Sequence, residues 1–313
     1  MKSLLIDFLI CPACLPQEKG LACDIRERHG EDVLTGTLEC DQCGAHYPIL
    51  DGIASLLPRA YLHGQQDPSK YNNSTTISSY LWSHYGDLRG DKDTSTAYGE
   101  WAHLIKPDSG FSLDAGCAAG RFTFELSKRS DFSVGIDNSH PFIRTARELM
   151  KNRQLSVSMQ EEGMLMKHEI ISLPGTWSSD KVEFIVGDVQ SLPFHSNLFP
   201  SIASLNLVDK LPFPLGHLKE MNRVAKKKNA QFLFSDPFSW SSEVAREEDW
   251  LGGTNKGPYS GRGMDNIISL LTGEKSELLP PWKIDEKGHI WWKIRNHRNH
   301  FELIRSCFIK ASR

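Results

Sequence analysis

Leu113-Asp114-Ala115-Gly116-Cys117-Ala118-Ala119-Gly120-Arg121 decides the fold. This stretch closes an apolar run that begins at Phe111 and opens a helical segment running from about Gly120 through Ser127, with glycines at the turn that let backbone approach a ligand closely. Outward from it, Phe132-Ser-Val-Gly-Ile-Asp137 is expected as a second strand, followed by a helix through about Met150. Val182–Val186, Ser201–Leu207 and Gln231–Ser235 are expected as further strands, with a helix over Leu215–Ala225 before the last of them. Residues 151–180 form an insertion without a clear period, and the aromatic-rich stretch from Trp291 to Ile309 suits two closing strands. Short apolar strands alternating with helices imply an α/β fold, a mostly parallel sheet with helices on both faces.

Three acidic or polar strand ends lie where such a sheet gathers its ligand. Asp137 follows the turn by about 20 residues, where a carboxylate can accept both hydroxyls of a ribose. Gly187-Asp188-Val189 follows the third strand, where Asp188 can accept from an adenine amino group, and Asn206-Leu207-Val208-Asp209 faces the same crevice from the fourth. A dinucleotide dehydrogenase shares the first strand, the glycine turn and the acid after strand two. Its turn normally reads G-x-G-x-x-G, and the G-D-V after strand three is foreign to it, which places that reading behind.

The set D-x-G-x-A-x-G, I-D and G-D-V resembles the Rossmann-like class I S-adenosylmethionine-dependent methyltransferases. The resemblance implies that Asp114 faces the methionine amino group or positions the glycine loop, and that Gly116, Ala118 and Gly120 flank the methionine portion. It further implies Asp137 at the ribose and Asp188 at the adenine, with Asn138, Val189, Asn206 and Leu207 completing the cofactor-binding set. Ala118 departs from the family, which usually has glycine there.

Ahead of this domain, Cys11-Pro-Ala-Cys14 and Cys40-Asp-Gln-Cys43 are separated by 25 residues, room for a hairpin between two knuckles. Thiolates from two such turns complete a tetrahedral zinc site, and a unit this small has little core without a staple. Four cysteines close the site, so His46 stays outside it. With Ala45-His46-Tyr47-Pro48-Ile49-Leu50-Asp51-Gly52-Ile53 following, the segment resembles the small zinc-ribbon subunits that activate tRNA, rRNA and protein methyltransferases. The expected organisation is a zinc ribbon over 1–58, a linker and lid helix over 59–95 carrying Tyr80-Leu81-Trp82-Ser83-His84-Tyr85, and a methyltransferase domain over 96–313.

Farther along, Ser235-Asp236-Pro237-Phe238-Ser239-Trp240, Glu248-Asp249-Trp250-Leu251-Gly252-Gly253 and Ile294-Arg295-Asn296-His297-Arg298 resemble the mercaptohistidine N-methyltransferase domain of ovothiol biosynthesis. That resemblance implies methylation of a small imidazole- or thiol-bearing amino-acid derivative. Trp240, Asp249, Trp250 and Arg295 are then the candidate substrate-binding residues, aromatic walls for a ring and a guanidinium for a carboxylate. Asp209, His297 and Tyr85 are the candidate catalytic residues, the first two as proton acceptors. The ribbon ahead of this fold also resembles enzymes that methylate guanine in large-subunit rRNA, with Lys226-Lys227-Lys228 and residues 293–298 as phosphate contacts. A third reading is a regulatory subunit that binds cofactor without turnover.

Composition narrows these classes. With 39% hydrophobic and 24% charged residues among 313, the chain is an ordinary globular protein, and no stretch approaches the roughly 20 apolar residues of a bilayer span. A net charge of -3 exerts no global pull on nucleic acid, which favours a small-molecule substrate over RNA. Seven cysteines, four of them in matched pairs, and the absence of a signal-peptide pattern point to metal in the reducing cytoplasm.

Overall fold

A computed structural model describes residues 1–58 and 74–313. The part of the expected linker that falls on 59–73 lies outside the described residues. The central feature is an 11-stranded sheet in the order β1-β2-β3-β4-β9-β6-β5-β10-β11-β13-β12. Its Rossmann-like portion consists of β5 (Phe111–Ala115), β6 (Phe132–Asp137), β9 (Val182–Gly187), β10 (Ser201–Leu205), β11 (Gln231–Asp236), β12 (Lys283–His297) and β13 (His300–Ser312). The first five are parallel, β13 runs antiparallel to β11, and β12 to β13. All six residues of β9 and of β11 are buried, as expected of strands covered on both faces.

The helix His140–Asn152 shows why these segments adopt their structure. Ser139 caps its start by accepting from the N–H of Phe142, and Pro141 occupies the first turn, where its missing N–H costs nothing. Phe142, Ile143, Ala146, Leu149 and Met150 form the face turned to the sheet. Arg153, at φ 59°, ends the helix in the left-handed conformation with its N–H on the Leu149 carbonyl at 2.9 Å.

Residues 151–180, which lack a clear period in sequence, contain an antiparallel hairpin of β7 (Gln154–Glu162) and β8 (Leu165–Ser172). Val157 and Met159 bury one face of β7, while Met164, Leu165 and Met166 at the tip are exposed, so neither strand is apolar enough to declare itself.

The N-terminal unit is built on the hairpin of β1 (Ala22–His29) and β2 (Asp32–Glu39), continued by β3 (His46–Leu50) and β4 (Ile53–Leu56). Instead of standing apart, it extends the central sheet. β4 pairs in parallel with β9, Ser55 opposite Val186 and Leu56 opposite Gly187. Met1, Leu5, Tyr47 and Ile49 share one apolar cluster with Leu113, Val134, Ile136 and Ile185, so the core runs unbroken from ribbon to Rossmann-like sheet. No helix among the described residues is long and apolar enough to cross a membrane.

Candidate functional site

A cavity of about 240 Å³ opens at the carboxyl ends of β5, β6, β9 and β10. Strand order reverses beside β5, and this switch point is where open α/β sheets take their ligands. Asp114, Gly116, Ala118, Asp137, Asn138, Asp188, Val189, Asn206 and Leu207 all line it. Gly120, from the same set, instead faces the core, where its Cα backs onto the Phe184 ring.

Each carboxylate is held by local backbone. Asp137 Oδ2 accepts from the N–H of Ala118 at 3.0 Å and Oδ1 from that of Ser139 at 2.8 Å, one bond per oxygen. A carboxylate offers about four lone-pair sites, so two remain for a diol. Asp188 Oδ1 accepts from the N–H of Gln190 at 2.9 Å, leaving Oδ2 for an amino group. Asp114 is buried and accepts at Oδ2 from Thr123 Oγ1 at 2.7 Å. Burial pushes the carboxyl of Asp114 up to about 7 and that of Asp137 up to about 6, because neither can be hydrated when charged. Ala118, at φ 43°, occupies the left-handed region that favours glycine, the conformation that aims its N–H at Asp137.

Much of the remaining lining is aromatic. Tyr80, His84, Tyr98, Phe122, Phe142 and Trp292 form it, drawn from the helices Ser74–Tyr85, Ala97–Leu104, Arg121–Leu126 and His140–Asn152 and from β12. Tyr80 and Phe142 have centroids 5.0 Å apart, and His84 and Tyr98 4.5 Å apart. His84 is buried, and among the described residues neither ring nitrogen has a hydrogen-bond partner. An unmade buried hydrogen bond costs about 1–3 kcal/mol. Burial first, and the nearby Arg121 guanidinium second, depress its imidazole to about 3, so the ring is neutral.

The expected substrate-binding and catalytic residues are not among those lining this cavity, and the structure places them as follows. Tyr85 is buried and spends its hydroxyl on the Ala119 carbonyl at 2.7 Å, bracing the glycine turn from behind. Asp209 is buried beside Asp236, accepting at Oδ2 from the Ser239 N–H at 2.7 Å and from Lys210 Nζ at 3.0 Å. His297 lies beside the turn of the β12–β13 hairpin, its Nδ1 accepting from the Asn299 N–H. Arg295 pairs with Glu161 at 2.7 Å and ties β12 to the β7–β8 hairpin. Trp240 and Trp250 stack at 6.3 Å in the segment after β11, where Asp249 pairs with Arg246. These residues lie in separate segments of the fold, some buried and some exposed.

The aromatic wall was the part missed from sequence. Its signal lay in Tyr80 and His84, four apart on one face of the helix Ser74–Tyr85, and in Trp292, on the buried face of β12 while Trp291 is exposed.

At the ribbon, the sulfurs of Cys11, Cys14, Cys40 and Cys43 lie within 4.8 Å of one another. Cys11 to Cys43 is 3.6 Å and Cys14 to Cys40 3.7 Å. A tetrahedron of sulfurs about 2.3 Å from a central ion has edges of about 3.8 Å, which these pairs fit. His46 is outside the cluster, paired with Glu39 on the surface.

Residues 113–232 match the family described as "Methyltransferase domain". The chain is 27% identical over 165 residues to sterol 24-C-methyltransferase of Pneumocystis carinii, across 50% of this chain and 38% of that protein. It thus spans well under half the length of that relative. Among solved structures, YcgJ of Bacillus subtilis is 13% identical with a TM-score of 0.45, covering 69% of this chain and 98% of its own. A methyltransferase of Methanosarcina mazei is 20% identical with a TM-score of 0.42, covering 67% and 94%. Residues 113–232 thus match a methyltransferase domain, and they are set in a Rossmann-like sheet.

Proposed function

We propose that this protein transfers a methyl group from S-adenosylmethionine to a small, planar acceptor, of which an imidazole- or thiol-bearing amino-acid derivative is the instance its sequence resemblance implies. One observation carries the reading. The carboxylates at the strand ends and the aromatic side chains line a single cavity. In this reading Asp114 receives the methionine ammonium, Asp137 the ribose hydroxyls and Asp188 the adenine amine, while the turn from Gly116 to Ala118 borders the methionine chain. Bound S-adenosylmethionine supplies an electrophilic methyl carbon. The protein contributes proximity, orientation and exclusion of water between Tyr80, Tyr98, Phe142 and Trp292. Zinc in the four-cysteine cluster is structural, and the reduced thiols it requires fit the cytoplasm.

Calorimetric titration with S-adenosylmethionine and its demethylated product tests the cofactor assignment. Both are expected to bind, and Asp188→Ala to weaken both by about tenfold, the value of one hydrogen bond to a charged group. Failure of the unaltered protein to bind either would overturn the assignment. Labelled-methyl transfer to total RNA in preference to small heteroaromatic compounds would overturn the substrate class.

A further inference from the structure

Among the described residues that line the cavity, Asp114, Asp137 and Asp188 carry carboxyls, and Lys210 alone carries a positive charge, since the imidazole of His84 is neutral. Lys210 closes the short turn Val208–Lys210 after β10, with its own N–H on the Leu207 carbonyl at 2.9 Å. The chain just beyond is tied to the loop after β9, where Gln190 Oε1 accepts from the Phe213 N–H at 2.9 Å. The ammonium is held as firmly as the backbone beneath it. It donates to Asp209 Oδ2 at 3.0 Å, and that carboxylate is itself fully buried and fixed by the Ser239 N–H at 2.7 Å. Lys210, by contrast, is 32% exposed and faces the cavity. An ammonium has three N–H donors, and Asp209 is its hydrogen-bond partner among the described residues, which leaves two for a ligand. A head group already ordered by a buried carboxylate loses little further freedom when a ligand binds.

We propose that Lys210, held in place by Asp209, is the residue of this cavity that receives a ligand carboxylate. This rests on the reading of the cavity as a methyl-transfer site and deepens it. A carboxylate that enters beside Asp114, Asp137 and Asp188 is repelled wherever they are ionised, and Lys210 is where that repulsion is compensated. Partial exclusion of water strengthens such a pair beyond its value at an open surface. Two molecules in that reading bring the group, the cofactor through its methionine portion and an amino-acid acceptor through its α-carboxyl. In each the carboxylate stands beside an ammonium, to which the acids of the cavity are complementary.

The test compares the full-length protein with Lys210→Met and Lys210→Arg, using two pairs of probes that differ by a carboxylate alone. The first pair is the demethylated cofactor and its decarboxylated analogue, titrated by calorimetry. The second is histidine and histamine, followed by saturation-transfer NMR with the demethylated cofactor at saturation. Lys210→Met is expected to weaken a carboxylate-bearing probe by about tenfold or more, the value of one hydrogen bond to a charged group, and to leave its decarboxylated counterpart unchanged. Lys210→Arg, which keeps the charge, is expected to retain most of the affinity. A selective loss in the first pair places the cofactor's carboxylate at Lys210, and one in the second pair places the acceptor's. Because Lys210→Met strips Asp209 of its counterion, Asp209→Asn/Lys210→Met, which removes both charges, is measured beside it and is expected to show the same selectivity. If Lys210 serves only to neutralise Asp209, the two members of each pair weaken alike or not at all, and absence of selectivity in both pairs overturns the inference. Failure of the unaltered protein to bind either sulfur nucleoside would instead strike the underlying reading, and the histidine and histamine pair would still decide for Lys210.

Discussion

Arg147, on the methyltransferase helix His140–Asn152, donates from Nη2 to both carboxylate oxygens of Asp32 in the ribbon hairpin, at 3.0 and 3.2 Å. Its Nη1 contacts Glu183, which is fully buried in β9. The Met1 amine closes the network on Asp32 Oδ1 at 2.6 Å, and the Lys2 N–H on Glu183 Oε2 at 2.5 Å. Removing one partner of a buried pair leaves an uncompensated charge, so Arg147→Ala is expected to destabilise the protein by about 3–5 kcal/mol in urea denaturation. Adding Glu183→Gln is expected to restore part of the loss. The carboxyl of Asp32 is held down to about 2, with the Met1 amine and Arg147 outweighing its burial. A depressed carboxyl contributes stability above its unfolded value near 4, and that contribution is lost as pH falls through about 2. Acid denaturation is therefore expected to occur at higher pH in Asp32→Asn.

The sulfur cluster makes metal content a structural variable. Cys40→Ser/Cys43→Ser is expected to abolish bound zinc by elemental analysis and to lower the melting temperature. A native protein purified without chelators that holds no metal would refute the assignment.

With Asp114 as the proposed partner of the methionine ammonium, cofactor affinity is expected to depend on pH. In the free protein its carboxyl is raised to about 7 by burial, so below that value it is largely protonated. A cationic ligand requires the ionised form, and affinity is expected to fall by up to tenfold per unit as pH drops below about 7. Stability has the opposite sign. The raised carboxyl favours the folded free protein most fully below about 4, and this contribution is lost as pH rises through about 7. Asp114→Asn is expected to bind the cofactor more weakly at pH 8 and to flatten the pH dependence, both measurable by calorimetry.

Gly120 has φ +85°, and a Cβ there would lie 2.6 Å from the Phe184 ring. Gly120→Ala combines overpacking with an unfavourable backbone, for a loss of about 2–4 kcal/mol. Gly30, at φ +57° with nothing within 4 Å, is the control, and Gly30→Ala is expected to lose only about 1–2 kcal/mol. Equal losses in chemical denaturation would refute the packing account.

What was legible in the sequence follows from the range of the forces involved. β5 and β6 and the turn between β5 and its helix are local, each encoded by an apolar run and by glycines that their own backbone needs. The carboxylates at their ends came with them. The β4 and β9 pairing was not legible, because parallel strands more than a hundred residues apart leave no mark in either segment. The aromatic wall was lost for a related reason. Trp240, Asp249 and Arg295 each stand out within a short local motif, whereas Tyr80, His84, Tyr98 and Trp292 converge only after the Ser74–Tyr85 helix packs against β12.

Without β4, β9 would be the open margin of the methyltransferase sheet, and its Val182-Glu-Phe-Ile-Val-Gly187 backbone would be a flat apolar template for a strand from another molecule. β4 covers the Val186 and Gly187 end of that margin and passes the edge outward through β3 and β2 to β1. There, Asp24, Arg26, Glu27 and Arg28 are exposed, and the pairing with β2 is irregular between Ile25 and Arg28. A charged, irregular strand is a poor template for further addition. The ribbon thus serves as a guard against self-association, so a protein stripped of its metal is expected to aggregate through β9 before its Rossmann-like core unfolds, visible as light scattering that precedes loss of circular dichroism on heating.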